Sequence, residues 1–173
     1  QNEGYRTEAV IMRRLNMDSV VNLLLDRGDN ELLAAKVLRS ISEEDALKNN
    51  LAVPEKTTFY SSVISHSYYS IFYSARAALL SVGIKISAPF IHNKAYDKFK
   101  NAFVDSGKLD KYIMEAYEKM LMRAEDLLQI MKDEKSKRGK FTYKTFPQAN
   151  KDPAEDSINN ATLFVSHIKN MLK

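Results

Sequence analysis

Apolar residues recur every three or four positions along most of the chain, which is the spacing of one face of an α-helix. The pattern is strongest in the segment that follows Pro54 and ends at Gly83, a residue type that commonly terminates helices. A strand is excluded there because the period is not two, although aromatic and β-branched residues are common. The spacing predicts a helix of about seven turns with a broad apolar face. Its apolar positions are Tyr60, Ile64, Tyr68, Ile71, Phe72, Ala75, Leu79 and Val82.

The part of the chain before Pro54 shows the same period with more interruptions. It predicts a short first helix over residues 18–27 that stops at Gly28, and a second that restarts with Asp29 or Asn30 as its N-cap. Ser42 and Asp45 have the spacing of a capping box, so residues 42–53 are expected to form a third short helix or an irregular arm.

Three further helices are predicted after Gly83. Ser87 and Pro89 open one that ends near Gly107, and the apolar stripe beginning at Tyr112 predicts another that runs until Gly139. Residues 141–151 follow neither period and are expected to form a loop. The last helix has a complete start signal, with Asp152 as N-cap, Pro153 at the first helical position and Glu155 at the third.

These elements predict an all-α fold. Short connections make neighbouring helices antiparallel, so we expect an up-and-down bundle of four to five main helices with a short extra N-terminal helix. The chain has 173 residues, which suits one domain. We therefore expect an N-terminal extension over residues 1–17 and a single bundle domain over residues 18–173.

Composition excludes several classes of function. The chain has no cysteine, which removes disulfides, thiolate metal sites and cysteine catalysis. No apolar run approaches the roughly 18–20 residues of a membrane helix, and the first residues lack a signal-peptide pattern. We expect a cytoplasmic protein without membrane contact. His66, His92 and His167 have no metal-ligand spacing, and no phosphate loop or nucleophile elbow occurs, so no metal or cofactor is expected.

A polar and aromatic stripe lies beside the apolar face of the helix after Pro54. It consists of Ser62, His66, Tyr69, Tyr73 and Arg76. One interpretation is structural: the helix packs on two sides, and its hydroxyls bond to neighbouring helices. The other is that the stripe forms one wall of a cleft in which Arg76 presents a positive charge.

The segment SKRGKFTYK combines cations with aromatic rings. Candidate nucleic-acid-binding residues here are Lys137, Arg138, Lys140, Phe141, Tyr143 and Lys144. Single-stranded nucleic acid is bound by this mixture, with charge for the backbone and rings for the bases. The net charge of +4 permits such a partner without requiring it. The alternative is that lysines complement the dipole at a helix C-terminus while the aromatic residues close the end of the bundle.

Taken together, these segments resemble the HEPN superfamily, the higher-eukaryote and prokaryote nucleotide-binding domain. The resemblance rests on SHSYYSIFYSARAALLSVGIK, on GDNELLAAKVL before it, on FVDSGKLDK after it, and on the basic-aromatic segment before the last helix. It covers roughly residues 18–172 and is closest to small members paired with a minimal nucleotidyltransferase. It implies a helical bundle that forms a homodimer. It also implies a binding partner, which is RNA, a nucleotide or that nucleotidyltransferase.

The resemblance also implies where a nuclease centre would lie. Nuclease members carry an arginine, then four to six intervening residues and a histidine, and dimerisation brings two such motifs into one cleft that cuts RNA without metal. Arg138 has the matching position, but Tyr143 stands where the histidine is expected. Because an unperturbed tyrosine has a pKa near 10, it exchanges protons poorly at neutral pH, whereas histidine near 6.5 does so readily.

Three hypotheses follow from this altered motif. The first is a dimeric HEPN protein that binds RNA, a nucleotide or a nucleotidyltransferase around Arg138 and Tyr143. The second is a metal-independent, toxin-like ribonuclease in which His66, His92 or Tyr143 replaces the missing base. The third is a purely structural assembly module.

Overall fold

The computed structural model describes residues 2–121 and 151–173, with side chains from residue 14 onward. Its helices are α1 (Asn2–Glu43), α2 (Asp45–Asn50), α3 (Tyr60–Ser81), α4 (Ile91–Phe99), α5 (residues 111–121) and α6 (Lys151–Met171). A π-helical turn, Lys100–Val104, extends α4. Within these ranges there is no strand, so the all-α prediction is confirmed.

The contacts between helices define an up-and-down bundle. Along α1, Glu31 bonds His66 of α3, whereas Ser42, further along α1, bonds Phe59 at the start of α3, so the two helices are antiparallel. Arg39 of α1 pairs with Glu155 of α6 at 3.2 Å, and Asp29 pairs with Lys169 near the other end of α6.

Helix α6 is therefore antiparallel to α1. Tyr112 bonds His167, and the Tyr117 ring packs against Phe164, so α5 is antiparallel to α6 in turn. The order α1, α3, α5, α6 then alternates in direction, as the short connections predict.

Helix α3 is the centre of the core. It packs against α1, α6 and α4, and 12 of its 22 residues are buried. The apolar face predicted for it is confirmed at Ile64, Ile71, Phe72 and Leu79. Opposing helices complete the core with their own buried side chains, which are Leu32, Ala35, Phe99, Phe103, Ile113, Tyr117, Met120, Ala161, Phe164 and Ile168.

Helix α1 is continuous through Gly28, so the prediction of two helices separated there is wrong. Gly28 is buried and faces α3: a Cβ atom at this position would lie 2.8 Å from the Ser74 hydroxyl and 3.2 Å from the Ser70 carbonyl oxygen. Glycine here permits close contact between helices instead of ending one. The continuous helix also passes residue 17, so the domain boundary expected there stays a prediction.

The short helix predicted within residues 42–53 is confirmed as α2, but the capping box is not formed. The N-cap residue is Glu44, which makes no side-chain cap hydrogen bond. The Ser42 hydroxyl instead donates to the Leu38 carbonyl oxygen at 2.7 Å and accepts from the Phe59 amide at 2.8 Å. Ser42 therefore ties the end of α1 to the start of α3.

The predicted ends of the later helices agree with the structure better than the predicted starts. Gly83 and Gly107 both have positive φ, 80° and 71°, and follow α3 and the π-helical turn as expected. Helix α4 begins only after Phe90, so Ser87 does not cap it. Asp152 lies in the first turn of α6, after Lys151, and is therefore not its N-cap.

We predict that Gly28→Ala destabilises the protein by about 1–3 kcal/mol, because the added methyl group would crowd the Ser74 hydroxyl and the Ser70 carbonyl oxygen, so that the Ser74 side chain or the helix backbones must shift. This outcome reverses the usual preference of helices for alanine over glycine. Urea unfolding followed by circular dichroism measures the change. Adding Ser74→Ala, which removes the nearest atom, should restore part of the loss.

The control is Asn30→Ala, an exposed position in the same helix, where stability should stay the same or rise slightly. A Gly28→Ala protein as stable as the wild type would show that α1 and α3 can separate without cost.

Candidate functional site

The predicted polar and aromatic stripe lies along the outer edge of α3, beside α1. Tyr69 is 39% exposed, while His66, Tyr73 and Arg76 are half-buried. The stripe is thus accessible along its length instead of being enclosed between helices. The side chains that flank it come from α1 on one side and α4 on the other.

Two residues of the stripe contact α1. The His66 Nδ1 atom lies 2.6 Å from a carboxylate oxygen of Glu31. The guanidinium group of Arg27 lies over the Tyr73 ring, 4.7 Å from its centroid, which is within cation–π distance. These contacts support the structural interpretation for His66, because its ring is held by an acidic partner.

Helix α4 contributes His92 to the same surface. Its Nδ1 atom hydrogen-bonds the Tyr68 hydroxyl at 2.6 Å, and its ring centroid lies 4.3 Å from that of Phe72. The Tyr69 ring meets His92 edge-on at 6.1 Å and stacks with Tyr73 at 6.3 Å. A histidine from a separate helix therefore completes a row of rings on α3.

Electrostatics favour a neutral His92. Burial lowers the pKa of its imidazole below the ordinary 6.5, and the positive charge of Arg76 lowers it further. Arg76 also lies over the Phe72 ring, 5.5 Å from its centroid. At neutral pH the site therefore combines an uncharged imidazole with two permanent cations, Arg27 and Arg76.

We call the accessible group Arg27, Tyr69, Tyr73, Arg76 and His92 the α3 aromatic surface. Its exposed rings can stack on planar ligands, and its guanidinium groups can bind phosphate or carboxylate oxygens. The neutral imidazole of His92 can accept a proton. The sequence predicts Arg76 as a binding residue but names His92 only as one of three possible replacements for the missing nuclease histidine. Nothing in the periodicity indicates that α4 packs beside this part of α3.

Six of the seven predicted binding residues belong to the basic-aromatic segment. Lys137, Arg138, Lys140, Phe141, Tyr143 and Lys144 lie outside the described residues. Of the predicted binding set, only Arg76 has described surroundings, and the structure brings it together with His92. The role of the basic-aromatic segment therefore stays a prediction.

The surroundings of two other tyrosines, Tyr96 and Tyr117, indicate a structural role. Tyr96 donates a hydrogen bond to Glu118, and burial, this hydrogen bond and neighbouring carboxylates raise its pKa to about 12. The fully buried Tyr117 hydroxyl has no hydrogen-bond partner among the described residues, and burial raises its pKa well above 10. Both hydroxyls therefore stay protonated at neutral pH.

Within the described ranges, no group of three or more histidine, aspartate or glutamate side chains is arranged to hold a metal ion. In the same part of the chain, no helix combines the length and apolar character needed to cross a membrane.

The depressed pKa of His92 predicts a specific acid sensitivity. Its unfolded-state pKa is 6.5 and its folded-state pKa is lower, so the folded protein binds fewer protons. Stability is therefore full above pH 6.5 and declines as the pH falls toward the folded-state value. NMR titration should give a His92 midpoint below 6.5 that rises in Arg76→Gln.

The rise in Arg76→Gln should be the smaller part of the total shift, because burial is the larger cause. His92→Gln should remove this contribution to the pH dependence of unfolding. A midpoint at or above 6.5, or one that Arg76→Gln leaves unchanged, would contradict the assigned electrostatics.

Comparison with known proteins gives one informative relative. A protein of Methanocaldococcus jannaschii named "Putative toxin MJ0605" is 28% identical over 153 residues, which cover 88% of this chain and 89% of that protein. No protein-family model matches the chain. No solved structure matches it significantly either. The chain is thus similar over most of its length to a protein named as a toxin, and the HEPN resemblance stays a prediction.

Proposed function

We propose that this chain is a toxin-like protein of the HEPN type that binds single-stranded RNA. The observation that carries the proposal is the α3 aromatic surface, where Arg76 and His92 lie beside the accessible rings of Tyr69 and Tyr73. The toxin name of the relative and the net charge of +4 support the same direction. A toxin that acts on RNA needs a surface of this chemistry.

Rings and cations act on different parts of the ligand. Each base that stacks on an aromatic side chain contributes about 1–3 kcal/mol, with little dependence on sequence. Tyr69 is exposed enough to receive a base, and its stacking on Tyr73 holds the ring in place. Arg27 lies over the Tyr73 ring and Arg76 over the neighbouring Phe72 ring, so their guanidinium groups would be available to contact the phosphates of a stacked nucleotide.

The predicted basic-aromatic segment belongs to the same proposal. Arg138 and Tyr143 would add a phosphate contact and a further ring, as the HEPN resemblance implies. A homodimer would then present two binding surfaces, and a minimal nucleotidyltransferase is the protein partner that the resemblance implies. Arg138→Ala tests this segment separately from the α3 aromatic surface.

A second candidate function is metal-independent RNA cleavage, which the surroundings of His92 favour. Its imidazole is neutral at pH 7, is oriented by the Tyr68 hydroxyl and lies near Arg76. A neutral imidazole can take the proton of a 2′-hydroxyl, whose oxygen then attacks the adjacent phosphorus. The bond from phosphorus to the 5′ oxygen breaks, the leaving oxygen takes up a proton, and a 2′,3′-cyclic phosphate forms.

In this reaction Arg76 would neutralise the charge that develops on the phosphate oxygens. Acid–base assistance by one side chain contributes about 10²–10⁴-fold to the rate. The hypothesis of a purely structural module predicts the opposite of both functions, namely no RNA binding and no cleavage.

The binding proposal predicts that Tyr69→Ala weakens binding of a fluorescent single-stranded RNA 12-mer about tenfold, through the loss of one stacked base. Fluorescence anisotropy measures the affinity. The matched control is Tyr112→Ala, because Tyr112 is also an exposed tyrosine, 44% against 39%, but lies on α5 away from this surface. Equal losses in the two variants would contradict the proposal.

Arg76→Ala should weaken binding further and reduce the dependence of log affinity on log salt concentration by about one. Light scattering with and without the RNA then gives the stoichiometry. A dimer whose mass increases by that of the RNA supports a homodimer that binds RNA. A dimer whose mass RNA does not change favours a protein partner instead.

The cleavage candidate predicts that RNA loss in the presence of EDTA falls by about 10²–10⁴-fold in His92→Gln. His167→Gln is the control, since His167 is a partly exposed histidine of α6 that pairs with Tyr112. Product ends should be 2′,3′-cyclic phosphates. Undiminished cleavage by a correctly folded His92→Gln protein would remove His92 from the mechanism and leave the binding proposal standing.

A further inference from the structure

An open groove lies between α1 and the end of α3. It has a volume of about 900 Å³, and the connection after α3 forms its third side. Its aliphatic lining residues are Met17, Val20 and Leu24 of α1, Leu80 of α3, and Ile84 and Ile86 after it.

The groove exists because α1 is much longer than α3. Helix α1 has 42 residues and α3 has 22, lengths of about 63 Å and 33 Å. The contact between Gly28 and Ser74 sets the register, so the part of α1 before about residue 20 continues past the end of α3. Among the described residues, only the connection around Ile84 and Ile86 lies beside α1 there, and these residues leave the groove open.

The floor of the groove is aliphatic and accessible. Six of the nine lining residues are Met, Val, Leu or Ile, and Val20 is 44% exposed. Contiguous exposed apolar surface with a polar rim is typical of a protein-binding site. No aromatic residue lines the groove among the described residues, so it offers no ring on which a nucleobase could stack.

The charges at the rim have one sign. Arg76 and Lys85 flank the aliphatic floor, and no acidic residue lines the groove within the described part of the chain. An acidic segment would be attracted to Arg76 and Lys85, and the net charge of +4 on the whole chain adds to that attraction.

We propose that this groove binds an acidic amphipathic helix of a partner protein. Residues 16–24 of α1 span about 12 Å, which matches two turns of a docked helix whose apolar residues follow the spacing i, i+3 or i+4, and i+7. Carboxylates beside that apolar stripe would pair with Arg76 and Lys85. Arg76 belongs to both surfaces, but the floor residues do not belong to the α3 aromatic surface, so variants of the floor test this inference separately from RNA binding.

The test uses three designed 16-residue peptides that side-chain cross-links hold as helices. One has a leucine stripe flanked by glutamate, one has lysine in place of glutamate, and one is a scrambled version of the first. Titration calorimetry with the full chain gives affinities, and methyl NMR signals of Ile84 and Ile86 report the location. The acidic amphipathic peptide should bind at least tenfold more tightly than the other two and shift both isoleucine signals.

Two pairs of variants make the location decisive. Val20→Glu and Lys85→Glu should each weaken the acidic peptide about tenfold. Val37→Glu and Lys36→Glu are the controls and should leave its affinity unchanged, because both positions are exposed on α1 outside the groove and Val37 is 48% exposed against 44% for Val20. Val20→Glu should also retain RNA affinity, which separates this inference from the proposed function.

Several outcomes would overturn the inference. Equal binding of the basic peptide, absence of shifts at Ile84 and Ile86, or equal losses in Val20→Glu and Val37→Glu would each exclude an acidic helix in the groove. A dimer that Val20→Glu dissociates would assign the groove to a second copy of the chain. Shifts of the two isoleucine signals by RNA alone would assign it to RNA.

Discussion

The close contact between α1 and α3 at Gly28 is the constraint on which the rest of the structure depends. Three serines of α3, Ser67, Ser70 and Ser74, are fully buried, and within the described residues their hydroxyls have no hydrogen-bond partner. Their small side chains let neighbouring helix backbones approach. Gly28 uses this space, because any larger residue would collide with Ser74. Close approach increases the van der Waals contact along both helices, at the cost of burying polar hydroxyls.

The same contact positions the candidate site. With Gly28 against Ser74, the preceding residue Arg27 lies over the Tyr73 ring. Glu31, about one turn further along α1, lies beside His66. In the other direction the register carries α1 beyond the end of α3 and opens the aliphatic groove. The register between α1 and α3 therefore determines the positions of both the aromatic surface and the groove.

Arg76 lies at the boundary between these two surfaces. On one side it lowers the pKa of His92 and covers the Phe72 ring, and on the other it lines the groove. The surfaces differ in chemistry on either side of it: rings suited to bases lie toward His92, and aliphatic side chains suited to a helix lie toward Leu80. Because aromatic and aliphatic surfaces select different ligands, one face of α3 can serve two partners.

The sequence by itself determined the fold class and most of the helices. Periodic apolar residues predicted α3 and α6, and Gly83 and Gly107 predicted the ends of two helical segments. The structure confirms these ends, where both glycines have positive φ. These features are local, since periodicity and backbone conformation depend on neighbouring residues. The prediction that a helix ends at Gly28 is wrong, because a glycine that ends a helix and a glycine that allows close packing of a second helix cannot be distinguished in the sequence. Only the tertiary structure decided between them, through the position of Ser74. It also brought His92 to Arg76, because the approach of α4 to α3 depends on packing between residues far apart in the chain.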